Sequence, residues 1–194
     1  EAHGWTAADL GKALFDGGAT LVQLRCSGYS LARFLSCADE LLERASRYDA
    51  QVIINDRIDI ATMSGADGVH VGQDDLSVRR ARQLSGPGLV VGVSTHTLEQ
   101  FSAIRPLGVD YAAVGPIYDT RTKNTGYYAV GLEAIRSARS FAESVPLVAI
   151  GGITLETGLD VLEAGATSLA VITDIFTGGD PTQRTRDYVE RLSL

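Results

Sequence analysis

Cysteine, tryptophan and methionine are scarce in this chain of 194 residues, with two, one and one respectively. The two cysteines, Cys26 and Cys37, are too few for a disulfide framework, so a reducing cytoplasm is the simpler expectation. Long apolar runs are missing as well. No stretch approaches the roughly 18 residues of a membrane helix, and no signal-peptide pattern opens the sequence. Nor is there a surplus of basic charge. A net charge of −7 argues against a nucleic-acid partner, although a locally basic pocket on an acidic protein still accepts phosphorylated small molecules. With no linker or low-complexity tract, residues 1–194 read as a single domain.

What is present can fill a core: 45% of residues are hydrophobic and 21% charged. The apolar residues gather into short, near-continuous runs at Thr20–Arg25, Gln51–Asp56, Gly68–Gly72, Leu89–Thr95, Tyr111–Pro116, Pro146–Gly152 and Ser168–Asp174. Runs of that kind are strands covered on both faces. Helical segments alternate with them, at Ala7–Asp16, Ser30–Arg47, Ser77–Leu84, Leu98–Arg105, Leu132–Ser144, Leu155–Glu163 and Thr182–Leu192. Three segments end in Gly-Ala-Asp, Gly-Val-Asp or Gly-Ala-Thr, at Gly65, Gly108 and Gly165, where glycine suits a left-handed helix cap. The recurrence marks one βα unit repeated along the chain.

Parallel strands joined by helices close most naturally into a TIM (β/α)8 barrel. Only seven strands can be counted, and the chain opens directly into a helix at Glu1. The expectation is a barrel whose first strand is missing from this chain, with a strand-forming segment ahead of Glu1 in the natural protein. Edges near Leu21–Arg25 and Leu169–Thr173 would then lack a partner.

Anionic small molecules bind at the C-terminal ends of such strands. There the sequence places Gln23 and Arg25, which point the same way along a strand and can grip phosphate oxygens. Asn55-Asp56 and Gln73-Asp74-Asp75 end the next two strands. Two carboxylates from neighbouring strand ends, with pyrophosphate oxygens and waters, would make a Mg²⁺ site; the plainer reading makes Asp56 and Asp75 helix N-caps, with Ser77 or Asp75 capping the helix that follows. Ser94-Thr95-His96 comes next, His96 reading as a structural hydrogen-bonder. Thr120, Thr122 and Lys123 follow Gly115, and the polar loop from Asn124 to Tyr128 is expected to close over bound substrate. Gly151-Gly152 and Ile172-Thr173 supply amides and a hydroxyl for a second phosphate.

Nine stretches, taken in order, resemble the thiamine phosphate synthase family, in the wider group that includes the thiazole tautomerases. They are Val22-Gln-Leu-Arg25, Ile54-Asn-Asp-Arg57, Ala66-Asp-Gly-Val-His70, Gly72-Gln-Asp-Asp75, Gly92-Val-Ser-Thr-His-Thr97, Gly115-Pro-Ile-Tyr118, Thr120-Arg-Thr-Lys123, Val130-Gly-Leu-Glu133 and Ala149-Ile-Gly-Gly-Ile153. The resemblance implies a transferase that joins hydroxymethylpyrimidine pyrophosphate to thiazole phosphate with Mg²⁺, releasing pyrophosphate through a pyrimidine-stabilised cation. It implies that Gln23, Arg25, Asn55 and Lys123 hold the pyrimidine pyrophosphate and that Asp56 and Asp75 carry the metal. Ser94 would sit beside the reacting carbon; Thr120, Thr122, Gly152, Ile172 and Thr173 would cradle the thiazole phosphate. Arg25, Ser94 and Lys123 are the catalytic candidates.

Two positions depart from the family pattern. Cys26-Ser27 stands where Glu-Lys is usual, and Thr173 where serine is usual. The alternatives are a thiazole tautomerase-like paralogue and a non-catalytic thiamine-precursor binding protein. The tautomerases typically carry a histidine where this chain has Pro116, and tend to lose the Ile-Asn-Asp motif present here. Partners are expected to be small molecules; a homo-oligomer is possible.

Overall fold

Seven parallel strands hydrogen-bond in the order in which they occur in the chain. They are β1 (Leu21–Leu24), β2 (Gln51–Asn55), β3 (Gly68–Val71), β4 (Val90–Thr95), β5 (Tyr111–Val114), β6 (Leu147–Ile150) and β7 (Ser168–Ala170). The computed structural model describes residues 4–120, 126–142 and 144–192. Each expected strand is there, one or two residues shorter at an end, except β7, which stops at Ala170 and gives way to a 3₁₀ turn at Thr173–Phe176.

Helices α1 (Ala7–Asp16), α2 (Leu31–Ala45), α4 (Val78–Ser85), α5 (Leu98–Ile104), α6 (Gly131–Ala142) and α8 (Pro181–Leu192) match the expected segments closely. α7 begins later than expected, at Gly158, because Thr154 and Thr157 close a turn on each other's backbone first. The sequence reading lacked α3 (Ile58–Ser64). It is a seven-residue helix with no side-chain cap, held by burial of Ile60 and Ala61.

Alternation along the strands divides the sheet. Val52, Ile54, Val69, Val71, Val91, Val93, Ala112, Val114, Leu147 and Ala149 point outward into one core shared with Phe34, Leu41, Phe101, Ile135 and Val161 of the helices. The other parity faces the barrel interior: Gln23 on β1, Ile53 and Asn55 on β2, His70 on β3, Gly92 and Ser94 on β4, Tyr111 on β5. The three glycines expected to cap segments do so with φ of 71°, 65° and 113° at Gly65, Gly108 and Gly165. The residue two places after each does something more. Asp67 accepts the Val52 N–H at 2.7 Å, Asp110 the Val91 N–H at 2.6 Å, and Thr167 Oγ1 the Leu147 N–H at 2.9 Å. Each repeat thus pins the start of one strand to that of its neighbour.

The helix layer closes where the sheet does not. α1 packs on α8 so tightly that a Cβ on Gly17 would lie 2.6 Å from the Thr182 carbonyl oxygen. Among the described residues β1 and β7 have no mutual pairing, so the sheet is a barrel wall with one strand position open. Leu21 and Ile172, on the interior parity beside that seam, are 50% and 49% exposed. No described helix is long and apolar enough to cross a membrane.

Candidate active site

Because all seven strands run parallel, their C-terminal ends share one rim. Gln23, Asn55 and Ser94 carry the interior parity near those ends, and Arg25, Gly152 and Ile172 follow the ends of β1, β6 and β7 by one or two residues, which sets the six expected site residues along one rim. Gln23 and Arg25 are exposed and Asn55 is buried at 8%. Thr122 and Lys123 lie outside the described residues, as do Asn124 and Thr125 of the loop expected to close over substrate; Thr120 is half-buried.

Asp56 and Asp75 come from the ends of the adjacent strands β2 and β3. Neither is a helix cap. Arg57 holds the N-cap position of α3, and Ser77 that of α4, as expected for one of the two candidates, although its side chain makes no cap bond. Asp75 instead turns back, accepting the Gly72 N–H on Oδ2 at 2.8 Å. Asp56 sits at a φ of 63°, its N–H donated to the His70 carbonyl at 2.7 Å. That left-handed bend lifts the residue out of the β2 ladder at the rim. No described cluster of three or more His, Cys, Asp or Glu side chains could hold a metal ion. Two hard carboxylates alone fit Mg²⁺, which takes one or two such ligands and completes its shell with phosphate oxygens and water.

Gln73 reaches from the same loop to donate to the Ser94 carbonyl at 2.5 Å, tying the Asp75 segment to the end of β4. His96 is held on both sides: Nδ1 meets the Gly115 carbonyl at 2.5 Å, and the ring stacks on Tyr127 with centroids 4.1 Å apart. Gln100 donates to the Tyr127 hydroxyl at 3.1 Å and takes the His96 N–H at 2.8 Å. Tyr127 is thus tied to the end of β4 and to α5 through His96 and Gln100.

At the far side of the rim, a Cβ on Gly151 would meet Pro116 at 2.6 Å, and one on Gly152 the Asp119 carbonyl oxygen at 2.7 Å. Only glycine lets the β6 end pass this close beneath the β5 loop. Thr173, exposed, opens the 3₁₀ turn after β7. Beside Arg25, burial and the neighbouring Cys37 push the Cys26 thiol up to about 11, so it stays protonated and is no nucleophile. Sequence reasoning gave His70 and Tyr111 no role, yet both sit on the interior wall, His70 touching Ser94 and Tyr111 touching His70; their periodicity as interior residues was the available signal.

Seven parallel strands alternating with helices, their C-terminal ends on one rim, define an α/β-barrel-type protein. The thiamine monophosphate synthase family profile matches residues 3–175, and the chain belongs to that family. It is 44% identical over 187 residues to the thiamine-phosphate synthase of Koribacter versatilis, covering 96% of this chain and 87% of that protein. It is 39% identical to the thiamine-phosphate synthase of Methanospirillum hungatei, covering 97% and 91%. The solved structure of thiamine phosphate pyrophosphorylase from Pyrococcus furiosus superposes with a TM-score of 0.87 at 28% identity, covering 96% of this chain and 89% of that one.

Proposed function

We propose that this chain is a cytoplasmic, Mg²⁺-dependent transferase that joins hydroxymethylpyrimidine pyrophosphate to thiazole phosphate, giving thiamine phosphate and pyrophosphate. The observation that carries the reading is the division of one rim into two halves. Gln23, Arg25, Asn55, Asp56 and Asp75 lie on the β1–β3 side, whereas Thr120, Gly152, Ile172 and Thr173 lie on the β5–β7 side, with Ser94 on β4 between them.

The first half suits a pyrophosphate. Arg25 offers a planar fork of donors, Gln23 and Asn55 amide N–H groups, and Lys123 a further cation from its loop. Bound between Asp56 and Asp75, Mg²⁺ would neutralise charge on the pyrophosphate. The bond from the pyrimidine methylene carbon to the pyrophosphate oxygen breaks first, its electron pair leaving with the oxygen. Ser94 stands beside the carbon that is left electron-poor. The second half fixes the other substrate through Thr120, Thr122, Gly152, Ile172 and Thr173, so that the thiazole nitrogen attacks that carbon with its lone pair. Such a reaction needs charge stabilisation and positioning more than a base or a nucleophile, which agrees with the residues available.

The test is to incubate the purified chain with both precursors and Mg²⁺, and again with EDTA, and follow thiamine phosphate by mass spectrometry. Product that requires Mg²⁺ is the expected result. Binding of both precursors without product would make the chain a binding protein, and isomerisation of the thiazole alone would make it a tautomerase.

A further inference from the structure

Inside the barrel, polar side chains from three strands touch in series. The Tyr111 hydroxyl of β5 lies 2.9 Å from His70 Nδ1 of β3, and His70 Nε2 lies 2.8 Å from Ser94 Oγ of β4. The imidazole and phenol rings lie 5.5 Å apart and 25° from parallel. Tyr111 can lean across β4 only because Gly92 stands between it and His70: a Cβ there would fall 2.0 Å from Tyr111 Cζ. His70 is buried at 6% exposure, so its two ring nitrogens are committed to neighbours.

Donor counting gives the series a direction. Burial raises the Tyr111 phenol far above its ordinary range, so it keeps its proton and can donate. A neutral histidine has one N–H and one bare nitrogen. With Tyr111 donating to His70 Nδ1, His70 carries its proton on Nε2 and donates to Ser94 Oγ. The Ser94 hydrogen then remains for a partner at the barrel mouth. The reverse direction would consume that hydrogen on His70 and turn only lone pairs toward an anion.

We propose that Tyr111 and His70 form a positioning relay that holds Ser94 as a hydrogen-bond donor to the leaving pyrophosphate, an inference that rests on the synthase reading above. His70 and Tyr111 are positioning residues, acting through Ser94 and touching no substrate.

Two measurements test it. In the ¹⁵N spectrum of the free protein, His70 should show the Nε2–H tautomer, and Tyr111→Phe should abolish that preference. An Nδ1–H tautomer overturns the relay whatever the chain catalyses, and a wild-type chain that makes no thiamine phosphate overturns the synthase reading instead. In kinetics, His70→Gln keeps an N–H on the Nε2 side and should stay within about threefold of wild type, whereas His70→Asn should lower kcat about tenfold with both KM values nearly unchanged. In a Ser94→Ala background, His70→Asn should lower kcat no further. Equal losses in both backgrounds at unchanged melting temperature, or Gln and Asn behaving alike, would reduce His70 to a packing residue and overturn the proposal.

Discussion

Arg184 on α8 donates from Nε and from a terminal nitrogen to the same carboxylate oxygen of Asp174, at 3.1 and 2.7 Å. The Tyr188 hydroxyl donates to that oxygen at 2.6 Å and the Leu155 N–H at 3.2 Å. Both partners of the pair are nearly covered, at 13% and 11% side-chain exposure. One carboxylate thus fastens the turn after β7 to α8 and to the β6–α7 loop. That turn carries Thr173 and that loop Gly152. Their relative position, and with it the proposed phosphate cradle, depends on a group that touches no substrate.

This pair makes stability depend on pH in a known direction. Burial raises the Asp174 carboxyl, but the Tyr188 and Arg184 hydrogen bonds outweigh it and hold the group below its ordinary value. A carboxylate depressed in the folded state stabilises fully above the unfolded value of about 4 and loses that contribution as pH falls through the folded one. Asp174→Asn should therefore destabilise by about 2–4 kcal/mol at neutral pH, as expected when a largely buried charge loses its partner. The gap in melting temperature between wild type and variant should narrow as pH drops below about 4. A gap that stays constant from pH 7 to pH 3 would remove Asp174 as the cause of the acid sensitivity.

Most of the architecture was legible because a doubly covered parallel strand has a distinctive sequence: Val52-Ile53-Ile54 and Val69 to Val71 can hardly be anything else. The Gly-Ala-Asp triplets fixed the repeat, although their second task, the Asp67 and Asp110 carboxylates on strand N–H groups, needed three-dimensional neighbours to be seen. α3 was missed because its β-branched residues, Ile58, Ile60 and Thr62, lack helix propensity; packing of Ile60 against the core decides its form. At the rim, motif positions were readable one strand at a time. The His70–Tyr111 contact was not, since it spans 41 residues and depends on the absence of a side chain at Gly92.

Ser27 supplies the next prediction. It lies exposed on the β1–α2 loop, two residues beyond Arg25 and just ahead of Gly28, where the family pattern usually has lysine. A lysine there would add a cation beside the half of the rim proposed for pyrophosphate. Ser27→Lys should raise kcat/KM for the pyrimidine substrate by up to about tenfold, the scale of one charged hydrogen bond. An exposed loop substitution should leave the melting temperature nearly unchanged. If the kinetics of the variant equal those of wild type, the serine is no handicap and another group supplies that charge.

The metal site can be tested by changes that remove charge and keep shape. Asparagine is the side chain best matched to both positions, for different reasons. At Asp56 the φ of 63° is a conformation that asparagine tolerates almost as well as aspartate, whereas alanine would add about 1 kcal/mol of strain. At Asp75 the amide oxygen of asparagine can still accept the Gly72 N–H, preserving the turn before α4. Asp56→Asn and Asp75→Asn should therefore melt close to wild type. Each should weaken Mg²⁺-dependent pyrophosphate binding by about tenfold or more in calorimetry, because half of the protein's ligand charge is gone. Pyrophosphate binding measured without Mg²⁺ should fall little or even improve, since an anion loses a repelling neighbour. If both variants bind Mg²⁺-pyrophosphate as wild type does, the two carboxylates are not the metal's ligands, and the acidic ends of β2 and β3 only shape the rim.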